Sequence, residues 1–267
     1  MAEPVWRDEF SSRKVVITGA AGIIGQWIAK AFAGAGAQLC LSDQRGDVIA
    51  ALATELRPSG ATVLTHATDL RDAASIDDLV STVERHWGAP DIVINNAGIY
   101  PSGFLIDIDA EEWDRIFDVN LRAPFLVSRG FAKLMIAERN SGSIVNVSSG
   151  AARKMRRTVV PYCTSKTALD RLTKGFAIEL AEFGIRVNAV EPGFAPGSTA
   201  SPLSAAHVEM TLSQIPLGRG SAPEDAPNAI LFLCSRQAAY ITGATLAVDG
   251  GNSIGSLAVY QDKKKPG

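Results

Sequence analysis

Short runs of β-branched and aliphatic residues alternate along this chain with longer stretches of helical periodicity. No other feature narrows the possible folds so far. Candidate strands lie at 14–18, 37–42, 62–67, 91–95, 143–147, 186–190 and 245–248. Candidate helices lie between them at 24–35, 48–56, 73–86, 111–138, 160–183 and 223–234. The strands are short, apolar throughout and bounded by Gly or Asn, the pattern of strands covered on both faces. This predicts a doubly wound α/β architecture, a Rossmann-like parallel sheet with helices on both sides. The 267 residues suit one domain over 1–267, with its core at about 13–254 between polar tails. The stretch 192–221 is rich in Pro, Gly and Ser and is predicted as a long loop closing over a substrate.

Composition removes several classes of function. Hydrophobic residues make up 46%, charged residues 20%, and the net charge is −2. That balance describes a globular protein and gives no electrostatic case for nucleic acid or an anionic membrane. No apolar run approaches the ~18 residues of a membrane span, and the N-terminus has no apolar segment of a signal peptide. Cys40, Cys163 and Cys234 are widely spaced, and His66, His86 and His207 form no cluster. No metal site is expected, and a reducing cytoplasm is.

Two local patterns carry chemistry. The first, Thr18-Gly19-Ala20-Ala21-Gly22-Ile23-Ile24-Gly25, joins the first strand to the first helix. Glycines there let backbone N–H groups and the positive helix end approach a pyrophosphate, so Gly19, Ile24 and Gly25 are candidate contacts. The side chain of Ile23 is expected to narrow that approach. The second strand runs to Asp43, whose carboxylate suits ribose hydroxyls and repels a 2′-phosphate, favouring NAD over NADP. Arg45 is the nearest cation. The second pattern is Tyr162 with Lys166, at i and i+4 of a predicted helix and so on one face. An ammonium beside a phenol is expected to lower its pKa from about 10 and fit it for proton transfer near neutrality.

Taken together these residues resemble the short-chain dehydrogenase/reductase family, in its branch of ~250 residues. The resemblance runs from about 13 to 254. It rests on Tyr162-x-x-x-Lys166, Asn95-Asn96-Ala97-Gly98, Asn146-Val147-Ser148-Ser149, Asn120 in Asp118-Val119-Asn120-Leu121, Asn188-Ala189-Val190-Glu191-Pro192-Gly193, Thr242-Gly243 and Val248-Asp249-Gly250-Gly251. It implies an oxidoreductase that moves a hydride between nicotinamide and a secondary alcohol or ketone. Tyr162 would transfer the proton and Ser149, preferred to Ser148 on its separation from Tyr162, would hold the substrate oxygen. Lys166 would acidify Tyr162 and bind the nicotinamide ribose, and Asn120 would hold a water linking Lys166 to solvent. Asp69 and Leu70 would flank adenine, Asn96, Ala97 and Gly98 would run beside the cofactor, and Pro192 and Gly193 would lie near the nicotinamide. A hydroxyl after Gly197, Ser198 or Thr199, would bond the carboxamide.

Relatives in the family commonly form homo-oligomers, often tetramers, through the helices corresponding to 111–138 and 160–183. A 3-oxoacyl thioester reductase and a non-catalytic nucleotide sensor are the competing readings. The basic run Arg153-Lys154-Met155-Arg156-Arg157 falls where the family lines its substrate cleft. It suits either recognition of an anionic substrate or a solvated loop or subunit contact. Tyr100 and Phe104 line the cleft or pack beside it. Asp249 belongs to a turn.

Overall fold

The computed structural model describes residues 6–197, 203–255 and 257. Seven parallel strands form one sheet in the order β3-β2-β1-β4-β5-β6-β7. They are β1 (Lys14–Thr18), β2 (Gln38–Asp43), β3 (Val63–Ala67), β4 (Ile92–Asn95), β5 (Ser143–Val147), β6 (Arg186–Pro192) and β7 (Thr245–Val248). The helices are α1 (Arg7–Phe10), α2 (Ile23–Gly34), α3 (Gly46–Leu56), α4 (Ala73–Trp87), α5 (Ala110–Phe117), α6 (Ala123–Ala137), α7 (Val160–Leu180), α8 (Ala205–Ser213) and α9 (Asp225–Cys234).

The alternation of side chains along each strand divides the apolar residues between two cores. Val15 and Ile17 of β1, Leu39 and Leu41 of β2, and Ile92 and Ile94 of β4 face α2, α3 and α9, meeting Ile28, Phe32, Ile49 and Ile230. Val16, Cys40 and Val93 point the other way, onto α4, α6 and α7, where Leu79, Phe131 and Ala177 receive them. A sheet buried on both faces needs apolar residues at successive positions, which is why its strands read as continuous apolar runs. Each fully buried Ile, Leu or Phe contributes roughly 1.5–3 kcal/mol of transfer free energy. These two cores hold the strand ends in fixed register, Thr18 beside Ser42 on one side and beside Asn95 on the other.

Two departures from the sequence reading bear on the site. The helical stretch expected over 111–138 is three segments: α5, a π-helical turn at Asp118–Arg122, and α6. Within the stretch expected as a loop at 192–221, α8 forms, capped by the Ser204 hydroxyl that accepts from His207 N at 3.2 Å. None of α8's residues is buried, so it has no apolar face for periodicity to reveal. The predicted helix at 223–234 begins at Asp225.

Candidate functional site

The strand order turns back between β1 and β4, and a cleft of about 1030 Å³ opens at the carboxyl ends of the strands. Crossovers leave in opposite directions from such a point, so the sheet itself makes the crevice. The residues predicted for cofactor contact all line it: Gly19, Ile24, Gly25, Asp43, Asp69, Leu70, Asn96, Ala97, Gly98, Pro192 and Gly193. Ser149, Tyr162 and Lys166 line it too, and Asn120 lies fully buried behind its wall. Ser198 and Thr199 lie outside the described residues, so neither predicted carboxamide contact is placed.

The turn after β1 is shaped for close approach. Gly19 takes φ +64°, and a Cβ there would stand 2.6 Å from Ala97 Cα. A Cβ on Gly25 would stand 2.2 Å from the Gly19 carbonyl oxygen. Asn96 Nδ2 ties the turn to β4, donating to the carbonyls of Thr18 at 3.1 Å and Gly19 at 2.9 Å. The first N–H groups of α2 meet no side-chain cap. A helix start of this kind is a cradle for an anion, and it fits a dinucleotide pyrophosphate. Ile23, expected to narrow the approach, is the first residue of α2 and lines the cleft.

At the end of β2, Asp43 is almost fully buried. Its Oδ2 accepts from Ala21 N at 3.1 Å, and its Oδ1 accepts from Arg45 N at 3.0 Å and Arg45 Nε at 3.2 Å. Asp69 is held likewise by Arg71, whose Nη2 donates to Oδ2 at 3.0 Å. The Arg71 guanidinium keeps the Asp69 carboxyl below its ordinary range.

The second half of the cleft is built from β5 and α7. Ser149 follows β5 and starts a short 3-10 turn, its hydroxyl accepting from Ala151 N at 3.1 Å. Tyr162 and Lys166 sit in the opening turns of α7, one above the other, as predicted. Tyr162 lines the cleft beside Ser149, and its ring meets that of Tyr100 edge-on at 5.8 Å. Lys166 is buried and donates from Nζ to the Val147 carbonyl at 2.8 Å.

One electrostatic expectation is reversed. Burial raises the Tyr162 phenol above its ordinary pKa, outweighing the Ser149 hydrogen bond and the Arg156 charge that lower it. The Lys166 ammonium lies 5.9 Å from the centre of the Tyr162 ring and is spent on a backbone carbonyl. Burial pushes Lys166 itself down to about 8, with Asp170 opposing the shift.

Asn120 occupies the π-helical turn, a distortion that often marks functional positions. Its Nδ2 donates to the Ile99 carbonyl at 2.8 Å and to Ser165 Oγ at 3.1 Å, while its Oδ1 accepts from Ile99 N at 2.9 Å. Three short bonds fix the loop after β4 against α7.

The sequence reading missed the polar connections beneath this floor. Asn95 Nδ2 donates to Asn146 Oδ1 at 2.8 Å and Ser128 Oγ at 2.9 Å, and Asn146 Nδ2 donates to Thr173 Oγ1 at 2.8 Å. Asparagine inside a β-branched strand is depleted, so its presence was an available signal. Glu191, fully buried at the end of β6, pairs with Arg153, and burial raises its carboxyl. Asp170 is raised by burial as well. Asp249 belongs to the turn its sequence suggested, accepting from Gly251 N and Ser253 N at 2.9 Å. Among the described residues, no group of three His, Cys, Asp or Glu is placed to hold a metal, and no helix is long and apolar enough to cross a membrane.

Comparison with known proteins agrees with this geometry. The family described as enoyl-(acyl carrier protein) reductase matches residues 19–253. A 2,3-dihydro-2,3-dihydroxybenzoate dehydrogenase from Bacillus subtilis is 36% identical over 90% of this chain and 95% of its own. The crystal structure of a gluconate 5-dehydrogenase from Burkholderia cenocepacia, in complex with NADP and tartrate, superposes with a TM-score of 0.87 at 30% identity, covering 94% of this chain and 98% of that one. A 3-ketoacyl-(acyl-carrier-protein) reductase from Brucella melitensis, complexed with NADH, gives 0.81 at 33% identity, covering 91% and 99%. With relatives of this identity spanning nearly its whole length, the chain belongs to the short-chain dehydrogenase/reductase family and is an oxidoreductase acting on CH–OH groups.

Proposed function

We propose that this protein is an NAD-dependent dehydrogenase or reductase that interconverts a small secondary alcohol and its ketone, with Tyr162 as the general acid and base. The observation that carries the reading is the placement of Ser149, Tyr162 and Lys166 together at one end of a cleft whose other end is a glycine-built anion cradle. A bound nicotinamide supplies or accepts the hydride. The chain's own residues do the rest. Ser149 holds the substrate oxygen, and Tyr162 takes the hydroxyl proton on oxidation or returns it on reduction, which spares the substrate a free alkoxide. Lys166 orients the ribose and passes the proton on, and Asn120 steadies the backbone beside it. Gly19, Ile24 and Gly25 receive the pyrophosphate, Asp69 and Leu70 the adenine, and Asn96 to Gly98 with Pro192 and Gly193 the nicotinamide side.

NAD is favoured over NADP because the Asp43 carboxylate stands where the adenosine ribose ends and repels a 2′-phosphate. Its pairing with Arg45 occupies the cation that such a phosphate would need. The reading extends to one domain over the core at 13–254. It also extends to a homo-oligomer, a tetramer built on α5, α6 and α7, which expose Trp113, Phe125 and Ile178. The free thiols Cys40, Cys163 and Cys234 fit a reducing cytoplasm.

A panel of secondary alcohols and ketones, followed at the NADH absorbance band with each cofactor, tests the function. Turnover with NAD exceeding that with NADP is the expected result. Strong NADPH preference would move the assignment to a 3-oxoacyl thioester reductase. Cofactor binding with no turnover on any substrate would mark a nucleotide sensor. Sedimentation of the purified protein tests the oligomer.

A further inference from the structure

The arginines of the cleft are paired with carboxylates within the protein, with one standing apart. Arg45 is held by Asp43, Arg71 by Asp69, and Arg115 by Glu112 through bonds of 2.6 and 2.8 Å. Arg156 also lines the cleft and has no carboxylate partner among the described residues. Its neighbours in the basic run are committed elsewhere. Arg153 pairs with Glu191 and donates to Ser253 Oγ at 2.8 Å, and the Arg157 guanidinium lies 5.1 Å over the Phe104 ring.

The loop that presents Arg156 is held firmly. Thr158 adopts φ +69°, a conformation rare for a β-branched residue, and its carbonyl accepts from Gly103 N at 2.8 Å. That bond joins the loop to the segment bearing Tyr100 and Phe104. Arg156 lines the same cleft as Tyr162, and its charge lowers the Tyr162 phenol against the larger effect of burial. An unpaired cation beside a partly enclosed site draws anions and offers a planar fork that matches a carboxylate.

We propose that Arg156 is a specificity-determining residue, and that the substrate is a secondary alcohol or ketone that carries a carboxylate. This deepens the dehydrogenase reading and rests on it. A carboxylate fits better than a phosphate monoester. The latter brings nearly two negative charges, and the other arginines of the cleft and loop are already engaged.

The test uses the full-length protein with both NAD and NADP. The probes are 3-hydroxybutanoate, 4-hydroxypentanoate and their methyl esters, and the variants are Arg156→Gln, Arg156→Lys and Arg157→Gln. In the wild type, kcat/KM for the better acid is expected to exceed that of its ester at least tenfold. In Arg156→Gln the acid-to-ester ratio falls to about one, mainly through KM for the acid. Arg156→Lys restores part of it, and Arg157→Gln leaves the ratio as in the wild type. Equal use of acid and ester by the wild type, or an unchanged ratio in Arg156→Gln, would overturn the subsite and leave the dehydrogenase reading standing. Should no probe turn over, the dehydrogenase reading is left to the wider panel of alcohols and ketones. Saturation-transfer NMR with the same acids in the presence of NAD then decides the subsite. Binding to wild type and not to Arg156→Gln upholds it, and equal binding, or none to either, overturns it.

Discussion

The two ends of the cleft are prepared in opposite ways. At the nucleotide end, backbone does most of the shaping, through Gly19, Gly25 and the open first turn of α2. Its charges are settled before anything binds, Asp43 on Arg45 and Asp69 on Arg71. At the chemical end the charges are held under tension. Lys166 is pushed down to about 8, Tyr162, Asp170 and Glu191 are pushed up, and Arg156 has no carboxylate partner among the described residues. Binding a common cofactor needs shape and a helix end. Moving a proton needs groups whose protonation is finely balanced, and burial supplies that balance at a cost in stability.

The largest expected effect tests this division directly. Tyr162→Phe keeps the ring and its packing against Tyr100 while removing the exchangeable proton. We expect kcat to fall by about 10²–10⁴, the usual contribution of a positioned acid or base, while the Kd for NAD changes by no more than a fewfold. Turnover near the wild-type rate, measured at the NADH band, would break the comparison, because the chemical end would then not depend on its phenol.

What the sequence made legible follows the same line. The nucleotide end was readable because its determinants are local: a strand, a glycine turn and a helix start within one short run, and an acid at the end of the next strand. The pair Tyr162 and Lys166 was readable for the same reason, being one helical turn apart. Their electrostatics were not. The sequence brings an ammonium beside a phenol. Only the fold sends that ammonium to the Val147 carbonyl, and only burial sets the direction of both shifts. The π turn around Asn120 was hidden because one extra residue in a helix barely disturbs apolar periodicity. Which arginine of the run 153–157 faces the cleft depends on contacts with Glu191, Ser253 and Phe104, all distant in sequence.

The next effect sharpens the claim that the chemical end is held at a cost. Lys166 binds its proton less tightly folded than unfolded, so between about 8 and its ordinary 10.5 the unfolded chain carries more protons. Stability should therefore rise as pH climbs through that window, and below it the buried ammonium costs up to roughly 3 kcal/mol. Lys166→Met fills similar space without the charge. Denaturant unfolding of the cofactor-free proteins from pH 7 to 10 should find the variant the more stable at pH 7, with the gap closing toward pH 10. Parallel profiles would mean that the ammonium is not penalised by burial.

The smallest effect belongs to the nucleotide end. Asp43 has two roles there: it repels a 2′-phosphate, and it holds Ala21 N and Arg45 in place. Asp43→Ala removes both and frees the Arg45 guanidinium to meet a phosphate, so the NADP-to-NAD ratio of kcat/KM should rise on the order of tenfold. Asp43→Asn separates the roles, because the amide oxygen can still accept from Ala21 N while the charge is gone. If charge governs the choice of cofactor, Asn and Ala shift the ratio alike, and only Ala loses the additional ~1 kcal/mol of a hydrogen bond in thermal unfolding. If Asn leaves the ratio where it was, the geometry of the turn governs the choice instead. The nucleotide end would then discriminate by shape alone, and its contrast with the chemical end would be sharper than proposed.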